Sequence, residues 1–201
     1  VLAETLAEFD NIEIINDDIL KTDLKKVIGD EKEVFIFGNL PYYITTPIVC
    51  RFLDEAKKVG AMLVMVQEEV AERFCAQPDT KEYGAITVAL KTAAEVKIVR
   101  RVGRKMFVPA PNVDSAVVSI VFDDEKRGGV GREALRSVVR AAFSMRRKTL
   151  LNNLSAFFKT DKAVLKDMLE KLGFSPDVRG ESLSPEDFLR LSSELEGLKA
   201  V

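Results

Sequence analysis

In the first part of the chain, apolar residues form short runs that are typical of buried strands. The predicted strands cover residues 12–15, 33–37, 61–66, 96–102 and 115–122. Other segments place an apolar residue at every third or fourth position, which is typical of one face of a helix. The helices predicted in this way begin with Leu2, Leu6 and Phe9 and continue at 46–58, around Val70 and Phe74, and at 83–92. Strands that alternate with helices predict an α/β domain with a doubly wound sheet.

The pattern changes after the strand at 115–122. Residues 123–131 contain three glycines and indicate a linker. Beyond it, every amphipathic segment has helical spacing. The predicted helices cover 132–143, 146–157, 161–172 and a final segment that Ser184-Pro185 opens. The sequence therefore predicts an α/β domain at 1–124, a linker at 125–131 and a small all-α domain at 132–201.

The composition narrows the possible chemistry, because the 201 residues include no histidine and only two cysteines. This excludes Ser-His-Asp and Cys-His catalysis and every metal site with a histidine ligand, so we expect no metal. Cys50 and Cys75 lie in predicted helices and do not indicate a disulfide framework. The apolar runs are too short to cross a bilayer and no signal peptide opens the chain, so we expect a cytoplasmic protein without a membrane segment.

The net charge of −2 conceals an uneven distribution. Residues 1–96 carry ten basic and eighteen acidic residues, whereas residues 126–159 carry nine basic residues and a single acid, Glu133. A basic block in a mildly acidic protein predicts a surface that binds a polyanion. The charge count is equally compatible with a solvated helix face.

The most specific motif is Asn39-Leu40-Pro41-Tyr42, which follows the predicted buried strand at 33–37. Ligands bind outside the carboxyl ends of strands in open α/β sheets. The Asn39 amide and the Leu40 carbonyl can accept hydrogen bonds from an exocyclic amine, and the Tyr42 ring offers a stacking face. The motif therefore indicates a site for a planar base, although a turn that happens to contain Pro and Tyr is the alternative.

The motif resembles the catalytic motif of S-adenosylmethionine-dependent methyltransferases that act on the amino group of adenine. The longer string at 38–48 is similar to the ribosomal RNA adenine dimethyltransferases, and the segments at 66–73, 107–118 and 140–150 resemble the same family in the same order. Asp114-Ser115-Ala116 and the Arg146-Arg147-Lys148 segment look like the small-subunit (16S) enzymes. The Erm-type enzymes of the large subunit are more distant.

This resemblance implies a Rossmann-like class I methyltransferase sheet followed by a small helical domain. It implies methyl transfer from S-adenosylmethionine to two adjacent adenosines near the 3′ end of small-subunit rRNA, in rRNA processing and ribosome biogenesis. The implied partner is the rRNA of a 30S subunit precursor, and we expect a monomer. Two alternatives stay open: a non-catalytic RNA-binding or ribosome-assembly module, and an Erm-type 23S rRNA methyltransferase.

The resemblance also implies roles for individual residues. Asn39 and the carbonyl of Leu40 would hold the N6 amine of the target, with Pro41 between them and the stacking face of Tyr42. Phe107 would pack on the other side of the adenine. The residues implied in cofactor binding are Asp18, Ile19 and Asn39.

Basic residues flank these segments and fit contacts with the RNA backbone. The candidates before the Phe107 loop are Arg101, Arg104 and Lys105, and those in the helical part are Arg136, Arg140, Arg146, Arg147 and Lys148. Arg132, Arg136 and Arg140 are each four residues apart, which is the spacing of one stripe along a helix.

The family begins with a strand, a Gly-rich loop and a second strand, and no such pattern is found in this sequence. The resemblance therefore implies an N-terminally truncated chain whose strand at 12–15 corresponds to the third strand of the family. The missing strands would lie between that strand and the one at 33–37.

Overall fold

The computed structural model describes residues 1–31, 33–55, 58–123, 125–126 and 131–196. Its centre is a four-stranded sheet. The strands are Val34–Asn39 (β1), Val59–Gln67 (β2), Ala94–Val102 (β3) and Ser115–Phe122 (β4). Their spatial order is β1-β2-β4-β3, with β1 parallel to β2 and with β4 antiparallel to both of its neighbours.

The connections explain why one strand is reversed. A helix at Thr45–Glu55 (α3) crosses from β1 to β2, and the helices Glu68–Cys75 (α4) and Ala85–Lys91 (α5) lie between β2 and β3. Crossovers of this kind return the chain to a parallel direction. The loop from β3 to β4 contains only a 3₁₀ turn at Arg104–Met106, so β4 folds back against β3. The fold is a mixed, open α/β sheet.

The buried residues form two clusters. The first joins the sheet to α3 and α4, with Val64, Val118 and Ile120 fully buried at its centre. The second lies among four later helices and includes Tyr83 and Val88 from the region of α5. These helices are Arg132–Ala142 (α6), Leu150–Phe158 (α7), Lys162–Lys171 (α8) and Pro185–Glu194 (α9). The predicted α/β class with a helical carboxyl-terminal region is therefore confirmed.

The domain limits at 1–124 and 132–201 stay predictions. The second cluster draws residues from both sides of the predicted linker, and the hydroxyl of Tyr83 donates to the carbonyl of Leu183 at 2.8 Å. Within the predicted linker at 125–131, residues 127–130 lie outside the described residues. Gly131 adopts a left-handed conformation directly before α6.

The beginning of the chain differs from its prediction. The strand predicted at 12–15 is wrong: these residues form no ladder with any described strand, and Ile12, Ile14 and Ile15 are exposed. Strand stability comes from ladder bonds and from burial of one face, and this segment has neither. The opening helix is limited to Leu2–Thr5 (α1), and a short helix at Leu24–Ile28 (α2), capped by Asp23, was not predicted.

The helix predicted at 146–157 begins only at Leu150, because the side chain of Thr149 accepts a hydrogen bond from the backbone of Asn152 and caps the helix there. Ser184 caps α9 by the same mechanism, as predicted. None of the helices in the described ranges has the length and apolar character needed to span a membrane.

Candidate active site

The Asn39-Leu40-Pro41-Tyr42 motif forms the turn that leaves the sheet at the end of β1. Asn39 is the last residue of the strand, and its side chain is exposed. The backbone N–H of Leu40 donates to the carbonyl of Met65 on β2 at 3.1 Å. Pro41 starts the 3₁₀ turn at Tyr42–Ile44, and its carbonyl accepts a hydrogen bond from the Thr45 hydroxyl at 3.0 Å. The motif is therefore fixed to β2 on one side and to α3 on the other.

The loop between β3 and β4 supplies the opposite wall. It brings Phe107, Pro109 and Pro111 to the motif, and the two segments enclose an open cleft of about 390 Å³. The lining residues are Asn39, Leu40, Pro41, Tyr42, Phe107, Pro109 and Pro111. The structure thus brings together all five residues of the predicted catalytic group, Asn39, Leu40, Pro41, Tyr42 and Phe107. A volume of this size is in the range of small-ligand sites.

The chemistry of the cleft is limited to hydrogen bonding and stacking. Its lining offers one amide side chain, backbone carbonyls, two aromatic rings and three prolines. Several groups outside the cleft have a shifted pKa. Burial raises the pKa of the Cys50 and Cys75 thiols, and it lowers the pKa of Lys91 and Arg132. The lining therefore favours a reaction that depends on positioning rather than on a side-chain general base.

A partly buried hydrogen bond holds the Tyr42 ring. The hydroxyl oxygens of Tyr42 and Ser115 lie 2.7 Å apart, and either group can donate. Ser115 is fully buried at the beginning of β4. The sequence motif that contains Ser115 predicts no separate role for this residue. The available signal was a polar residue at the first position of an otherwise apolar, β-branched strand.

The loop that carries Phe107 is anchored at its base. The Asp114 carboxylate accepts a hydrogen bond from the backbone N–H of Arg104 at 2.8 Å, and the Arg104 guanidinium donates to the Asn112 carbonyl at 3.0 Å. The carbonyl of Asp114 also accepts from the backbone N–H of Glu68 at 3.0 Å. These bonds tie both ends of the loop to each other and to α4.

Asp18 and Ile19 lie in the loop before α2 and do not line this cleft. Ile19 lines a separate cleft of about 500 Å³ together with Asp17, Ile36 and other residues. The exposed Asp18 carboxylate accepts a hydrogen bond from the backbone of Leu20 at 3.0 Å. Arg51, which no sequence motif indicates, holds this loop by donating to the carbonyls of Ile19 and Thr22.

Three of the predicted RNA-binding arginines have acidic partners inside the protein. Arg101 pairs with Glu68 and Glu72, and Arg136 pairs with Asp54 on α3. Arg146 pairs with Glu181 at 3.0 Å and also donates to backbone carbonyls of the segment 80–83. These side chains hold elements of the protein together.

The other predicted RNA-binding residues behave differently. Arg104 holds its own loop, as described above. Within the part of the chain that the structure describes, no ion pair or side-chain hydrogen bond involves the exposed residues Lys105, Arg140, Arg147 and Lys148. These four are the side chains that are best placed to contact a phosphate backbone.

Comparison with known proteins identifies the relatives of the chain. A family described as ribosomal RNA adenine dimethylase matches residues 1–196. The chain belongs to this family. Ribosomal RNA small subunit methyltransferase A of Bacillus mycoides is 43% identical to it over 203 residues, which cover 97% of this chain and 70% of the relative. The protein of the same name from Bacillus cereus matches to the same extent.

Two solved methyltransferase structures share the architecture. A dimethyladenosine transferase from Plasmodium falciparum superposes with a TM-score of 0.79 at 25% identity, over 96% of this chain and 75% of that one. The 23S rRNA methyltransferase ErmE superposes with a TM-score of 0.68 at 27% identity, over 97% and 76% of the two chains. The adenine dimethylase fold thus extends across both the sheet and the helical region.

Proposed function

We propose that the protein transfers methyl groups from S-adenosylmethionine to N6 of two adjacent adenosines near the 3′ end of small-subunit rRNA, during ribosome biogenesis. The observation that carries the proposal is the cleft in which the amide of Asn39 and the carbonyl of Leu40 lie beside the rings of Tyr42 and Phe107. The 43% identity with proteins named for the small subunit favours this substrate over the 23S rRNA of the ErmE neighbour.

The cleft acts on the target amine by accepting hydrogen bonds. The amide oxygen of Asn39 and the carbonyl oxygen of Leu40 would accept the two N–H groups of the adenine N6 amine. This arrangement directs the nitrogen lone pair away from the protein acceptors, toward the incoming methyl group. As the nitrogen gains positive charge, both acceptors stabilise it, because they are already oriented before the reaction.

The aromatic walls hold the base in place. Tyr42 would stack on one face of the flipped adenine and Phe107 would pack on the other, with the prolines limiting the movement of the loop. A methylated amine releases its proton to water after transfer. The absence of a basic side chain from the cleft lining is therefore compatible with the reaction.

The residues of the loop before α2 fit the adenine end of the cofactor. The exposed carboxylate of Asp18 would accept a hydrogen bond from the cofactor amine, since among the described residues its second oxygen is paired only with Lys21, at 3.6 Å. Ile19 lines an apolar cleft and would contact the ring. Asn39 is the third proposed contact. When bound, S-adenosylmethionine supplies a methyl group on a sulfonium sulfur. The sulfur is an activated leaving group because it departs as a neutral thioether.

The test is the Asn39→Ala variant of the full-length protein. We expect a loss of roughly 3–4 kcal/mol of transition-state stabilisation, which is a fall of about 10²–10³ in turnover. The assay measures transfer of a tritiated methyl group to unmethylated 30S subunits, and binding of cofactor and RNA is measured separately. The variant should still bind both the cofactor and the RNA. Near-normal turnover would show that Asn39 does not hold the reacting amine.

The non-catalytic alternative makes a different prediction for the same assay. An RNA-binding or assembly module would bind 30S subunits without transferring a methyl group, in the wild type as well as in the variant. Lack of transfer by the wild-type protein would therefore refute the proposed reaction.

A further inference from the structure

The two residues at the start of β4 contact both walls of the cleft. Ser115 reaches the Tyr42 wall through its side-chain hydroxyl, at 2.7 Å. Asp114 accepts a hydrogen bond from the backbone of Arg104, which opens the 3₁₀ turn directly before Phe107. One short segment is therefore connected to the Tyr42 ring and to the backbone of the loop that carries Phe107.

Ser115 occupies a rigid position. It pairs with Gln67 on β2 and with Val102 on β3, so ladders hold it on both sides. Its side chain is completely buried. The Ser115 hydroxyl is therefore fixed in place, and the hydrogen bond forms only when the Tyr42 ring is oriented toward it.

Tyr42 has more freedom than Ser115. It lies on a turn of three residues and is only half-buried. A tyrosine ring can rotate about two side-chain bonds, and stacking requires one particular orientation of its plane. A hydrogen bond at the far end of the ring restricts both rotations. The Tyr42 hydroxyl is the only polar atom of that side chain, and it is used for this bond.

We propose that Ser115 is a positioning residue for methyl transfer, whose hydroxyl holds the Tyr42 ring in the orientation that stacks on the target adenine. The inference rests on the function proposed above. A hydrogen bond that served only to satisfy a buried hydroxyl would affect the stability of the fold. A positioning bond affects the reaction of the target base, and only when Tyr42 carries its hydroxyl.

The experiment is a double-mutant cycle with Ser115→Ala and Tyr42→Phe in the full-length protein. Each single variant retains the stacking ring but loses the hydrogen bond. Ser119→Ala is the matched control, because Ser119 lies on the same strand beside Leu63 and Lys97, far from the cleft. Methyl transfer to unmethylated 30S subunits is measured as kcat and KM, together with thermal stability and cofactor affinity.

We expect each single variant to lower kcat/KM for the 30S substrate about fivefold, the ratio that corresponds to one neutral hydrogen bond of about 1 kcal/mol. The double variant should be no worse than either single one, since both changes remove the same bond. The KM for S-adenosylmethionine should not change. The Ser119→Ala variant should match the wild type.

Two results would overturn the inference. The first is a Ser115→Ala variant with the kinetics of the Ser119→Ala control. The second is a double variant whose loss is the product of the two single losses, because Ser115 would then act independently of the Tyr42 hydroxyl. Failure of the proposed function would give a different result, because the wild type itself would then transfer no methyl group. That result would overturn the inference as well.

Discussion

Substitution by Gln should have different effects at the neighbouring residues Arg146 and Arg147. At Arg146 we expect it to lower the stability of the fold, and at Arg147 to weaken RNA binding. Arg146 donates to Glu181 at 3.0 Å and to the carbonyls of Lys81 at 2.6 Å and Tyr83 at 3.2 Å. It therefore fastens the segment before α5 to the helical region. Arg147 is exposed, and no ion pair or hydrogen bond of its side chain is found among the described residues. The sequence places both in one basic segment.

The geometry gives a magnitude for Arg146→Gln. Hydrogen bonds to a charged group contribute about 1.5–3 kcal/mol each when they are well shielded. The Arg146 side chain is 49% exposed, so solvent screening reduces this contribution. We expect a total loss of about 2 kcal/mol, which for a protein of this size lowers Tm by about 4–8 °C. The Arg147→Gln variant should stay within about 0.5 kcal/mol of the wild type.

RNA binding should be affected more by Arg147→Gln than by Arg146→Gln. If Arg147 contacts a phosphate, its loss reduces the slope of log K against log[salt] by about 0.7–0.9, because fewer counterions are released. Binding of a small-subunit rRNA fragment over a salt series measures this slope, and thermal unfolding measures Tm. The reasoning is refuted if Arg146→Gln leaves Tm unchanged, or if Arg147→Gln lowers Tm as much as its neighbour does.

Two further predictions concern Gly180 and Tyr83. Gly180→Ala should lower the free energy of unfolding by roughly 1–3 kcal/mol, because the new Cβ would lie 2.9 Å from the Cβ and 3.0 Å from the carbonyl oxygen of Ala142. Urea unfolding measures this loss. The control is Gly103→Ala, whose new Cβ would meet no atom within 4 Å. Burial, followed by the charges of two nearby acids, raises the pKa of the Tyr83 hydroxyl. The unfolded chain therefore loses this proton first, and stability should fall as pH rises above about 10. The gap in stability between the wild type and Tyr83→Phe should narrow over this range, and a constant gap would contradict the assignment.

Local sequence was informative where one segment determines its own structure. The limits of β4 agree with the apolar, β-branched run at 115–122. The turn at Asn39–Tyr42 lies at the end of its strand as predicted, because proline ends a strand locally. The residue roles suggested by the family resemblance remain predictions, although the structure brings the five cleft residues together.

The errors arise where a residue depends on a distant partner. The run at 12–15 has the composition of a strand, but strand formation also requires a neighbour that the run does not encode. The spacing of Arg132, Arg136 and Arg140 predicted a uniform basic stripe. In the structure the first is half-buried and the second pairs with Asp54 on another element, which leaves the third exposed. Spacing identifies the face of a helix and not what covers that face.

The reversed direction of β4 explains how two distant segments form one cleft. Asn39, at the carboxyl end of β1, pairs with Met65 on β2, while Ser115, at the amino end of β4, pairs with Gln67 on the same strand. The two ends therefore lie on either side of one short stretch of β2, roughly 10 Å apart for two strand spacings. The turn after β1 carries Tyr42, whose hydroxyl lies 2.7 Å from that of Ser115. If β4 were parallel to β2, its carboxyl end would lie here, and the Phe107 loop would have to cross to the opposite end of the sheet to enter β4. The antiparallel strand thus places the loop and the turn at the same edge, where the proposed reaction needs them.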